Sequence, residues 1–131
     1  MNENYDITTI EETVQEIVRN LSVSAKVYGN RPKAVAESVS DFVVVKVSGP
    51  LVDEAAYGRC RIAIYLFARD VNNVKNKKKL SVMYRALAAG FPTAAGNLLI
   101  TGTPTIIGDT PDDYGFHARV IQYNNVIVKS V

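Results

Sequence analysis

Residues 59–69 read Arg-Cys-Arg-Ile-Ala-Ile-Tyr-Leu-Phe-Ala-Arg, the clearest two-residue alternation in the chain. Successive side chains of a strand point to opposite faces. Cys60, Ile62, Ile64, Leu66 and Ala68 therefore share one side, and Arg59, Arg61, Ala63, Tyr65, Phe67 and Arg69 share the other. The first set belongs in a core. The second mixes arginines with large aromatics and suits water, a partner subunit or a lumen. Such a strand needs neighbours. Asp41–Val47, rich in β-branched residues and bounded by Ser and Gly-Pro, predicts one of them. The turn-rich stretch SGPLVDEAAYG (48–58) predicts the connection between the two. Val23–Tyr28 alternates loosely and predicts a short strand ending at the turn Gly29-Asn30-Arg31-Pro32. Leu98–Ile107 and Tyr114–Val128 predict two final strands, joined by the acidic turn Gly108-Asp109-Thr110-Pro111-Asp112-Asp113. Asn124-Asn125 predicts a bend or bulge in the last strand.

Two segments carry the helical period instead. Ile10, Val14, Ile17, Val18 and Leu21 form a stripe over Thr9–Leu21, with Glu11, Glu12, Glu16 and Arg19 on the other side. Thr9, with Glu12 three residues later, fits a capping box. After Asn72-Asn73, which predict a cap, Leu80, Met83, Tyr84 and Leu87 give a second stripe that Gly90 before Phe91-Pro92 stops. The order is α-β-β-β-α-β-β: an α+β fold, with one mixed or antiparallel sheet of about five strands carrying two helices. The 131 residues support one domain over 1–131.

The composition, 47% hydrophobic and 21% charged, is that of a soluble globular protein and excludes a disordered or collagen-like chain. The single cysteine excludes an internal disulfide framework, and the single histidine excludes a two-histidine mechanism within one subunit. The opening MNENYDITTIEE has neither the basic start nor the apolar core of a secretory signal. No stretch approaches the 18 or more apolar residues of a membrane span, so the expectation is a soluble intracellular protein. The net charge of +2 is unevenly distributed. Residues 1–16 hold five acids and no base, whereas residues 56–90 hold eight bases and one acid. Such asymmetry steers head-to-tail association or contact with nucleic acid, or else describes an uneven solvated surface.

No constellation of catalytic residues emerges. Cys60 and His117 are the one nucleophile–base combination, but Cys60 falls on the apolar strand face, where a thiol behaves as a small hydrophobe. Asp109, Asp112 and Asp113 have spacing that oxygen-ligated cations use, yet Thr-Pro-Asp-Asp is ordinary turn chemistry. Gly-rich phosphate loops of the GxGxxG or GxxxxGK type are absent. Lys75, Lys77, Lys78 and Lys79 near a helix start suit a phosphate backbone or a solvated face. Arg59, Arg61 and Arg69, interleaved with Tyr65 and Phe67, suit single strands or a protein interface. The expectation is no enzyme, no cofactor and no metal.

The succession "AKVYGNRP", "SDFVVVKVSG", "GRCRIAIYLFARD", "NKKKLSVMYRALAAGF" and "DDYGFHARVIQYNNVIV" resembles the tail-terminator, or tail-completion, proteins of long-tailed phages and prophages, related to the phage lambda tail terminator. The resemblance covers nearly the whole chain and rests on order and spacing. It implies a structural virion protein: a homo-hexameric ring at the head-proximal end of the tail tube, which stops tube polymerisation and offers a head-joining surface. The partners it implies are further copies, the tail-tube protein, a neck or connector protein, and passing DNA held without sequence specificity. It places the protein in the host cytoplasm during assembly and in the virion tail afterwards. A head–tail connector and a small basic nucleic-acid-binding module are the alternatives. The expected subunit, tube or channel contacts are Arg59, Arg61, Tyr65, Phe67, Arg69, Lys75, Lys77, Lys78 and Lys79, together with Glu11, Glu12 and Glu16. For Tyr65 and Phe67 a second expectation stands beside this one, that the second helix covers them through Leu80, Met83 and Leu87.

Overall fold

The computed structural model describes residues 6–29, 39–54, 56–112 and 114–129. Its elements are α1 (Ile7–Asn20), β1 (Val27–Tyr28), β2 (Asp41–Asp53), β3 (Tyr57–Arg69), α2 (Lys77–Ala88), β4 (Thr93–Ala95), β5 (Leu98–Thr101), β6 (Thr105–Pro111) and β7 (Phe116–Lys129). The α+β class is as expected, and the described residues form two helices. Among the described residues the sheet has seven strands instead of about five, and the order runs α-β-β-β-α-β-β-β-β.

Three local causes account for the extra strands and shifted boundaries. Gly102, at φ 84°, adopts a left-handed conformation that breaks the expected strand Leu98–Ile107 into β5 and β6. The three residues of β4, too short to show alternation, pair with β5 through Thr93 opposite Ile100. Ser48–Asp53, expected as a connection, continues β2 because a register shift between Ser48 and Val52 absorbs Gly49 and Pro50. In the same way Gly108–Pro111, expected as turn, belong to β6, since a shift between Ile107 and Thr110 sets Gly108 and Asp109 against Arg119. The bulge at Asn124-Asn125 is present: Cys60 faces Val126 and Ile62 faces Tyr123, leaving Arg61 opposite both asparagines. Of the turn expected after β1, Asn30, Arg31 and Pro32 lie outside the described residues.

The sheet runs β1-β2-β3-β7-β5-β4, with β1 parallel to β2 and the remaining pairs antiparallel. β7 pairs with β3 along its length; it meets β6 along residues 117–122 and β5 along residues 125–128. Both helices lie on one face. Ile10, Val14 and Val18 of α1 and Leu80, Met83 and Leu87 of α2 are buried with Ile62, Ile64 and Leu66 of β3, the set that alternation assigned to the core. Phe91 stacks on Tyr123 at 4.4 Å between ring centres, and burial pushes the Tyr123 hydroxyl up to about 12.

Both helix starts differ from expectation because a nearby side chain reaches the exposed amides first. Asp6, not Thr9, caps α1: its Oδ1 accepts from the Thr8 amide at 3.1 Å, and its Oδ2 accepts from the Thr9 hydroxyl at 3.3 Å. α2 is capped by Asn76, whose Oδ1 accepts from the Lys79 amide at 3.1 Å. Asn72 and Asn73 instead occupy left-handed positions in the turn between Val71 and Val74, a conformation asparagine tolerates. Asn76→Ala is expected to cost about 1 kcal/mol, read as a lowered thermal unfolding midpoint with unchanged secondary structure.

Candidate interaction surface

Opposite the helices, the register aligns the open face in rows. Tyr28, Val44, Tyr65, Val120 and Ile107 are successive cross-strand neighbours, and so are Phe42, Phe67, Ala118 and Thr110. Phe42, Val44, Phe67, Phe116 and Ala118 form a second, smaller buried cluster there. The Phe42 ring stacks on Phe67 at 4.4 Å and meets Phe116 edge-on at 5.2 Å. The expectation that α2 covers Tyr65 and Phe67 is thereby corrected: Leu80, Met83 and Leu87 pack on the other face, because α2 follows β3 back over the side that carries Ile62 and Ile64. Arg69 is engaged within the chain. Its Nε donates to the Val39 carbonyl at 3.0 Å, and its guanidinium lies 4.6 Å from the Phe116 ring centre.

Beyond the rings the face turns cationic. Val44, Lys46, Tyr65 and Phe67 border a shallow hollow of about 180 Å³. In the next row Lys46, Ala63, Gln122 and Thr105 are neighbours, and the side-chain amides beside them are linked to one another. Gln122 Nε2 donates to Asn124 Oδ1 at 3.1 Å, and Asn124 Nδ2 donates to Thr105 Oγ1 at 3.0 Å. Further along, Arg59 and Arg61 line a hollow of about 230 Å³ with Pro50, Val52 and Asn124. Arg59 pairs with Glu54 at 3.1 Å. Arg61 is exposed and makes no ion pair with a described residue.

On the helix face the charges separate along the strands. α1 begins beside Leu98 and Val128, and its Glu11 Oε2 accepts from the Val47 amide at 2.7 Å. α2 begins at the other end, where Lys79 pairs with Asp41 at 3.1 Å and Lys75 with Asp109 at 3.4 Å. Asp41 and Val47 are six residues apart on β2, about 20 Å of strand. The basic stretch 56–90 is therefore not one surface: Arg59 and Arg61 sit at the α1-start end on the open face, and the lysines sit at the opposite end. Glu16 pairs with Arg19 at 3.3 Å. Lys77, Lys78 and Glu12 are exposed, without an ion pair among the described residues.

The remaining sequence candidates do not assemble into chemistry. Cys60 is 3% exposed in the core, and burial pushes its thiol up to about 11, away from the nucleophilic thiolate. Cys60 faces Val126 and His117 faces Ala68, so the two stand eight strand residues apart, about 27 Å, and do not meet. His117 Nδ1 instead lies 2.6 Å from Asp70 Oδ1, a partnership no local motif announces. Asp109 Oδ1 and Oδ2 accept from Arg119 Nε and Nη2 at 2.7 and 2.9 Å, which holds the carboxyl below the usual aspartate range. Asp112 Oδ1 accepts from the Tyr114 and Phe116 amides at 2.8 and 3.0 Å, as a turn residue does. Asp113 lies outside the described residues. Among the described residues no three metal-ligating side chains converge, and no helix is long and apolar enough to cross a membrane. Comparison with protein-family models and with curated proteins finds no match.

Proposed function

We propose that the chain is a structural, ring-forming subunit of the tail-terminator kind, which closes a phage tail tube at its head-proximal end and presents a surface to the neck. The observation that supports this reading best is the placement of uncompensated charge. Exposed Lys77 and Lys78 start one helix and exposed Glu12 lies near the start of the other, at opposite ends of the same sheet face. Within one subunit they do not meet. Between subunits related by rotation they do, and heterologous contacts of that kind close into rings. Exposed pairs are worth about 0–1 kcal/mol each, so they set orientation and assembly rate more than affinity. Lys75, Lys79, Glu11, Glu16, Arg59 and Arg69, engaged within the subunit, leave the proposed contact set.

The test reverses the two unpaired lysines together, Lys77→Glu with Lys78→Glu. Wild-type protein is expected to run in size-exclusion chromatography with light scattering as a closed oligomer. The double variant is expected to keep its unfolding midpoint and to assemble more slowly and more weakly at low salt. Assembly of the variant indistinguishable from wild type would remove the charge contact, and a wild-type monomer at every concentration would remove the ring.

A further inference from the structure

We propose that the open sheet face is a binding platform for single-stranded DNA, centred on the hollow beside Tyr65, with Lys46 and Arg61 as phosphate contacts. This goes beyond the ring reading and does not depend on it.

The argument begins with charge. The cations of this face are Lys46, Arg59, Arg61 and Arg69; Arg59 pairs with Glu54 and Arg69 is held on Val39 and Phe116, so Lys46 and Arg61 are the two exposed cations without an ion pair among the described residues. An anionic occupant that follows the strand direction meets both, and is therefore favoured. The hollow adds shape. Its borders are half-buried Tyr65, buried Phe67 and Val44, and exposed Lys46. A planar base entering there stacks on an aromatic wall while its phosphate reaches Lys46, and the next phosphate along the strand direction meets Arg61. Rings and a cationic track together are how single strands are held without reading their sequence. Paired bases cannot enter such a hollow, so a duplex lacks the stacking part.

The polar side chains on the face refine the ligand. Gln122 and Asn124 would be the readers of a base edge or of a ribose 2′-hydroxyl, and their amides are joined to each other and to Thr105. Those bonds turn both amides partly toward each other, so stacking and charge are the leading contributions, which suits DNA of any sequence.

Fluorescence anisotropy with a labelled oligothymidylate tests this, against a duplex of equal length and an oligouridylate. Binding is expected at about 50 mM salt, weakening with added salt with a log–log slope near −1.4, about −0.7 for each of the two cations. Lys46→Gln and Arg61→Gln, both exposed, are each expected to bring the slope to about −0.7 with an unchanged unfolding midpoint. Tyr65→Leu is expected to weaken single-strand binding at least about five-fold, and Tyr65→Phe to restore it. Any of these outcomes would overturn the proposal: no binding at low salt; equal affinity for duplex and single strand; preference for oligouridylate; or oligothymidylate binding insensitive to Arg61→Gln. Should Tyr65→Leu abolish self-association and leave DNA binding untouched, the face belongs to a second copy and the proposal fails.

Discussion

Phe42→Ala is expected to lower stability by about 3–5 kcal/mol, the range for truncating a buried aromatic ring. Phe42 is 1% exposed, and its ring contacts those of Tyr28, Phe67 and Phe116. The cluster it centres has five buried members, too few to close over the vacated volume, so the cavity cost adds to the lost transfer energy. Phe42→Leu, which fills part of the space, should recover more than half of the loss. Urea unfolding measures both, with the slope against denaturant expected to stay constant because the exposed surface changes little. A loss below about 1 kcal/mol for Phe42→Ala would mean that the open-face cluster does not pack as a core.

The second large effect is electrostatic. Asp109 has a side chain 6% exposed and accepts both forks of Arg119, with Lys75 alongside. Removing one member of a nearly buried pair strands the other, and losses of about 3–5 kcal/mol are typical. Arg119 keeps 18% of its side-chain surface in water, so Asp109→Asn is placed at the lower end, about 3 kcal/mol. The pair also fixes a pH dependence. Arg119 lowers the folded-state value below the ordinary 3.8, so folding favours the ionised form. The stabilisation is fully present above the ordinary carboxylate range and is lost as the pH falls through the depressed folded value. The gap between wild type and Asp109→Asn should therefore be constant from pH 7 to about 5 and narrow below about pH 4. Urea midpoints of both proteins at pH 7, 4 and 2.5 measure it, and a gap that is as wide at pH 2.5 as at pH 7 would rule out the ionic origin.

What the chain spelled out locally, it spelled out well. Ile62, Ile64 and Leu66 announce a buried face through nearest-neighbour alternation, and Leu80, Met83 and Leu87 announce theirs through helical spacing. The features missed depend on partners distant in sequence. Gly49-Pro50 reads as a turn until β3 is laid beside it; Gly108-Asp109 reads as a turn until Arg119 is seen opposite. The same blindness affects charge. Lys79 looks free in the run 75–79, but Asp41 lies beside it only because β2 ends where α2 begins. Glu11 looks like a surface acid, but it accepts from an amide of β2. Lys46 carries no local signal, since its significance is a position one row from Tyr65, which only the pairing of β2 with β3 supplies.

The separation of about 20 Å between the two helix starts on β2 has a consequence for recognition in solution. At an ionic strength of 0.1 M the screening length is about 10 Å, half that separation; at 0.01 M it is about 30 Å. In dilute buffer an approaching molecule senses both poles together, and their opposing fields largely cancel. Near physiological ionic strength it senses mainly the pole it is nearest, so the two ends of this sheet face become electrically distinct objects. Added salt weakens every individual contact and yet sharpens the discrimination between the two ends, which are told apart best in the medium where the charges pull least.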